Sequence, residues 1–246
     1  MNKLLLTAGL LVLAISPISA QLTAPGVKWA DSYSFDKVNI MKIDFYAKGN
    51  ELMRTYNYKT YFNGAVKETV ATPAGPLVPK GNFAVMMDVP MKGNDMETVF
   101  DMTNEVAIQI IGSDAQEPMY NAGGWKYPSG QDLKKLELVA TEETKEIAGV
   151  VCKRYTYTHK QIFGSVWIAP NVKLPNDYGI FRAAKMAALH HTLSVDGFVM
   201  EMTSEDARGG KTIMTTVSLE NSEKHTVNMP KSKMGTAINK VSYFTF

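Results

Sequence analysis

The sequence predicts a mainly β fold: an antiparallel sheet with broad apolar faces and one helix laid over it. Three observations carry that expectation. Residues 147–157, 164–170 and 197–202 are runs of β-branched and aromatic residues bounded by Gly and Pro, the composition of strands. Residues 198–204 and 211–219 alternate on either side of Ala207-Arg208-Gly209-Gly210, which reads as a hairpin. Its first arm is expected to place Phe198, Met200 and Met202 on one face, and its second to place Ile213, Val217 and Leu219 on one face. Residues 178–192 alone break the β pattern, with Ile180, Ala184, Ala187, Ala188 and His191 near helical spacing in an alanine-rich segment.

From the N-terminus, Met1-Asn2-Lys3 gives a basic start, Leu4 to Ile15 is apolar, Ser16-Pro17 breaks the run, and Ile18-Ser19-Ala20 ends in small residues. That order predicts a signal peptide over residues 1–20, cleaved after Ala20, and an exported protein that is periplasmic or secreted. The apolar run is short of the ~18 residues that a membrane span needs, and no Cys follows the cleavage site for a lipid anchor. Residues 21–246 read as a single β-rich domain, beginning with an irregular lead-in over 21–31. Residues 32–46 fit helix and strand equally poorly, so that element stays open. Residues 51–63, rich in Tyr and Thr, read as a strand. Three prolines and two glycines make 71–81 a loop, since they interrupt a ladder. Residues 83–88, 96–102 and 105–111 are strands, the last with Val106, Ile108 and Ile110 on one face. Residues 112–132 are polar, with Gly123-Gly124 and Pro128 as turns, and 133–141 lead into the three runs above.

Composition narrows the chemistry. Lys3 is the only charge among the first 20 residues, so its loss takes 26 basic against 24 acidic groups to 25 against 24. A balance so near zero argues against a nucleic-acid binder, which carries a basic excess. Cys152 is the single cysteine, so no intramolecular disulfide forms; within a strand it reads as a half-buried small hydrophobe. His159, His190, His191 and His225 make no chelating pattern, because the adjacent pair diverges on a strand and lies about 100° apart on a helix. No nucleophile elbow, phosphate-binding loop or dinucleotide fingerprint is present. No catalytic, cofactor-binding or metal-ligating residue is therefore assigned, and the expectation is a protein that is not an enzyme. Methionine is abundant, with 15 in the chain, and its flexible thioether suits surfaces that accept variable apolar partners.

Three segments carry a family resemblance: Glu146-Ile147-Ala148-Gly149-Val150-Val151-Cys152-Lys153-Arg154-Tyr155, Ser165-Val166-Trp167-Ile168-Ala169-Pro170 and Gly197-Phe198-Val199-Met200-Glu201-Met202, with a late Val227-Asn228-Met229-Pro230-Lys231. Together they resemble a poorly characterised family of secreted bacterial proteins similar to the periplasmic lipoprotein-carrier (LolA/LppX-type) superfamily. The resemblance spans roughly residues 100–234, and its motifs are structural rather than catalytic. It implies a curved antiparallel sheet, an unclosed half-barrel, whose concave face is covered by one or more short helices. Val199 stands where the family often has Pro, and no arginine aligns with the one that locks the lid of the carriers, so the resemblance does not bring their transport function with it.

The functional expectation is an exported, non-enzymatic binding or carrier protein holding a lipid or acyl chain under the helical segment. Ile180, Ala184, Ala187, Trp167, Phe198, Met200, Met202 and Met214 are the candidate ligand-binding residues. A lipid or a lipidated protein is the expected partner, with peripheral contact to envelope components. Two alternatives stand beside it. One is an envelope interaction module whose sheet edge docks another chain. The other is a small outer-membrane barrel, prompted by the alternating tail 238–246 that ends in Phe246.

Overall fold

The computed structural model describes residues 27–63, 70–72, 75–78, 81–88, 95–112, 118–125, 135–172, 192–229 and 234–236. These residues form β1 (Ser32–Tyr46), β2 (Leu52–Phe62), β3 (Val70–Thr72), β4 (Gly75–Val78), β5 (Phe83–Asp88), β6 (Met96–Asp101), β7 (Val106–Ile111) and β8 (Met119–Gly124). They continue with β9 (Lys135–Leu136), β10 (Val139–Ile147), β11 (Val150–His159), β12 (Ile162–Ala169), β13 (Thr192–Leu193), β14 (Phe198–Asp206), β15 (Lys211–Asn228) and β16 (Met234–Thr236). Twelve of them make one sheet in the order β10-β11-β12-β14-β15-β1-β2-β5-β6-β7-β8-β16. Its pairs are antiparallel except β8 with β16, which run parallel. β10 and β16 end the sheet without pairing to each other, so it is not closed into a barrel. A membrane barrel must close to satisfy its edges, and the described residues show no such closure. The tail 238–246 that prompted the barrel alternative lies outside the described residues.

Residues 32–46 are the longest test of the sequence reading, and they form β1. Their periodicity is blurred because both faces of the strand are buried: Met41 and Ile43 belong to one apolar cluster, Phe35 and Val38 to another. Register shifts against β15 between Phe35 and Lys37, Val38 and Ile40, and Ile40 and Met41 bend the strand further. The bend rolls the sheet over itself. Tyr33 of β1 donates its hydroxyl to Asp101 Oδ2 of β6 at 2.7 Å, although β2 and β5 lie between. His225 Nε2 of β15 lies 2.5 Å from Glu97 Oε1 of β6, with β1, β2 and β5 between. Four strand spacings on a flat sheet would be roughly 19 Å. The outer halves of β1 and β15 thus fold as an arm across β5–β8, closing an apolar core of Tyr33, Phe35, Val99, Ile108, Ala122 and Val227. Burying such side chains contributes about 1.5–3 kcal/mol each.

Several expectations need correction. Residues 147–157 are two strands rather than one, because Ala148 (φ 48°) and Gly149 (φ 78°) form a two-residue turn pairing Ile147 with Val150. Positive φ at both central residues is the type I′ turn, whose twist matches a hairpin. Within 71–81, β3 and β4 pair as a separate two-stranded hairpin, where Pro76 is tolerated because each strand is an edge. Gly123 and Gly124 are ladder residues of β8 opposite Ala107 and Val106, not a turn. The helix expected over 178–192 lies outside the described residues except for Thr192, which opens β13. Elsewhere the strands at 51–63, 83–88, 96–102 and 105–111 and the hairpin between β14 and β15 stand as read, with Val106, Ile108 and Ile110 sharing a face.

Candidate ligand-binding face

Cross-strand pairing sorts the side chains of the sheet onto two faces of different chemistry. On the first face, Val166 lies opposite Met202, Met202 opposite Met214, and Met214 opposite Ile43, which continues to Tyr56. The next row runs Thr216–Met41–Tyr58–Met87–Met96–Ile111. Met41, Met87, Met96, Met202 and Met214 are buried in one apolar cluster on this face, and Met102 packs against it. Phe83 stacks on Phe100 with centroids 4.6 Å apart, and Phe100 meets Trp125 at 4.8 Å, giving the same face an aromatic end. Between the methionine and aromatic rows runs a third, Asn39–Thr60–Val85–Thr98–Gln109–Asn121. Gln109 donates Nε2–H to Met96 Sδ at 2.9 Å.

The second face holds the buried charges. Glu97 and Asp101 lie on it beneath the folded-over arm. His225 stacks on Tyr61 at 4.1 Å while bonding Glu97, and Tyr61 donates its hydroxyl to Glu223 at 3.2 Å, as does Lys59 Nζ. Burial first, then the charge of Glu223, pushes the Tyr61 phenol well above its ordinary range. Asp44 lies on this face too. Burial alone would raise it, but hydrogen bonds from Lys42 and Thr55 outweigh that and hold its carboxyl below the usual range. On the first face burial raises the phenols instead: Tyr58 lies well above its ordinary range, and Tyr157 is pushed up to about 12. Burial likewise raises the Cys152 thiol, which donates to the Val150 carbonyl and keeps the character of an inert hydrophobe. Among the described residues no three His, Cys, Asp or Glu side chains come together to hold a metal.

The sequence-predicted site residues fall on both faces. Met202 and Met214 are paired on the first face. Trp167, Phe198 and Met200 lie on the second, packed with Ile147, Cys152 and Ala169. There Trp167 is covered by Lys145, whose Nζ stands 4.4 Å from the ring centroid while bonding Glu201 at 2.7 Å. Ile180, Ala184 and Ala187 lie outside the described residues. The expectation that Phe198, Met200 and Met202 share a face is therefore corrected. Val199 pairs with Ile168 and Glu201 with Trp167, leaving Met200 as the extra residue of a bulge that reverses the alternation. A similar irregularity leaves Val217 exposed and turns Met214 and Thr216 inward. Met41, Tyr58 and Thr216 had no signal of their own in the sequence, whereas Met87 and Met96 lie in a visible methionine cluster.

No protein-family profile matches the chain, and no curated protein matches it. Solved structures similar to it include PNGF-II, at 11% identity and a TM-score of 0.35 over 82% of this chain and 31% of that one. The chain thus spans about a third of that protein's length. They also include a LolA superfamily protein from Nitrosomonas europaea, at 9% identity and a TM-score of 0.28 over 84% of this chain and 91% of that one. A DUF1329 family protein from Desulfovibrio piger is similar at 14% identity and a TM-score of 0.22, over 77% and 86% of the two chains.

Proposed function

We propose that this chain is an exported, non-enzymatic carrier that shelters an apolar ligand, a lipid or the acyl chain of a lipidated partner, against the first face of its sheet. The observation that supports this reading is the gathering of Met41, Met87, Met96, Met102, Met202 and Met214 into one cluster on that face. Unbranched thioether side chains re-pack around occupants of different shape more readily than Leu or Ile, and each buried methylene of a ligand contributes about 0.8 kcal/mol. The protein works in the periplasm or outside the cell, and neither nucleic acid nor a cofactor enters its role.

Because the two faces are distinct, the reading separates methionines that line the site from one that only packs. Met202→Ala and Met214→Ala should weaken binding of a fluorescent acyl-chain probe by about tenfold or more, since each removes several methylene-sized contacts. Met200→Ala, a comparable core truncation on the second face, should leave probe affinity within about twofold of wild type while costing roughly 2–5 kcal/mol of stability. Equal effects of all three on affinity would remove the first face as the site.

A further inference from the structure

The two faces also sort buried polar groups by charge. Asp44, Glu97 and Asp101, the buried carboxylates among the described residues, all lie on the second face. Of the buried neutral groups, Asn39, Thr60, Thr98 and Thr216 lie on the first, within or beside its methionine row, while Ser165 lies on the second between Thr156 and Thr203. Thr216 is the informative one. It is 2% exposed, and its Oγ1 has no hydrogen-bond partner. Its pairing opposite Met41, two residues from Met214, aims the side chain into the methionine cluster. A buried hydroxyl left unpaired is destabilising, so its retention there calls for a partner that the chain itself does not supply.

Resting on the carrier reading above, we infer that the first face takes an uncharged amphiphile: a long apolar chain bearing a hydroxyl or ester oxygen that pairs with Thr216. The chain lies along Met41, Met87 and Met96, and the head meets Thr216. Among the described residues the three rows around Thr216 contain no Lys, Arg, Asp or Glu side chain. Cations of this face such as Arg54, opposite Phe45, and Lys153, opposite Ile168, stand outside those rows. No side chain of the three rows would therefore neutralise a carboxylate or phosphate brought out of water beside Thr216. Free fatty acids and phospholipids are thereby excluded in favour of neutral alcohols and acyl esters of the same chain length.

The test compares hexadecanol and monopalmitoylglycerol with palmitate at pH 8, titrated into delipidated wild-type protein and Thr216→Val. Val keeps the shape and removes the hydroxyl. The expected result is that both neutral probes bind wild type at least tenfold more tightly than palmitate. Thr216→Val should bind the neutral probes about five- to tenfold more weakly, the worth of one hydrogen bond. The ligand-free variant should also melt at a higher temperature than wild type, because the unpaired hydroxyl is gone. That last readout separates a ligand-facing hydroxyl from a structural one, whose loss would lower the melting temperature. Palmitate bound as tightly as the neutral probes, or neutral probes bound equally by both proteins, would overturn the inference while leaving the carrier reading standing. A folded wild type that binds none of the three would overturn both.

Discussion

His225 and Glu97 make the strongest single claim about what holds this molecule in shape. Glu97 is almost fully buried, and it is met by an imidazole delivered from a strand four places away in the sheet. Tyr61 and Phe35 flank that ring at centroid distances of 4.1 and 6.4 Å and fix its plane. Truncating the histidine would strand a buried carboxylate. His225→Ala should therefore cost about 2–3 kcal/mol in urea denaturation, less than the ~3–5 kcal/mol of a fully buried pair because the imidazole keeps some contact with solvent. Combining it with Glu97→Gln should cost clearly less than the sum of the two single changes, since the partners act on each other. Additive losses would mean that the arm is held by apolar packing alone.

At the scale of elements, bulges and close approaches decide which side chain reaches which face. Gly164 of β12 shows the second kind. A Cβ there would stand 2.2 Å from the Thr203 carbonyl oxygen and 2.5 Å from the Tyr157 ring, so that ring lies where a side chain would be. Gly164→Ala should lose about 1–3 kcal/mol, toward the upper end because the closest atom is backbone. A thermal melt unchanged from wild type would show that β12 and β14 separate without cost. The same scale explains what could be read from the sequence. β7 was legible because Val106, Ile108 and Ile110 alternate without interruption in a regular ladder. The hairpin of β14 and β15 was legible from its turn residues. The placement of Met200 was not, because one inserted residue opposite Trp167 inverts parity and leaves no mark in composition. The turn at Ala148-Gly149 was hidden by an alanine in a conformation that Gly or Asn usually fills. Part of the described candidate site was missed for a related reason: Thr216 acquires its meaning only from Met41, 175 positions away in the chain and opposite it in the sheet. The end strand β10 carries exposed Glu142, Glu143 and Glu146 and a register irregularity between Ala140 and Thr144, features that discourage another chain from adding to that edge.

For the whole molecule, one rolled sheet presents two faces of different chemistry. The second face carries the fastenings: buried carboxylates, their partners, and the arm of β1 and β15 closed over β5–β8. With the fold secured there, the first face is free to be soft, lined by methionine and crossed by neutral polar groups rather than ion pairs. On the proposed carrier role, this division predicts that occupancy of the first face is the natural condition of the protein in the proposed periplasmic or secreted compartment. Native mass spectrometry of the chain purified without detergent from that compartment tests this most directly. The account predicts a complex heavier than the polypeptide, releasing on denaturation an uncharged lipid or the acyl chains of a lipidated partner. A bare polypeptide mass from that same detergent-free preparation would contradict it.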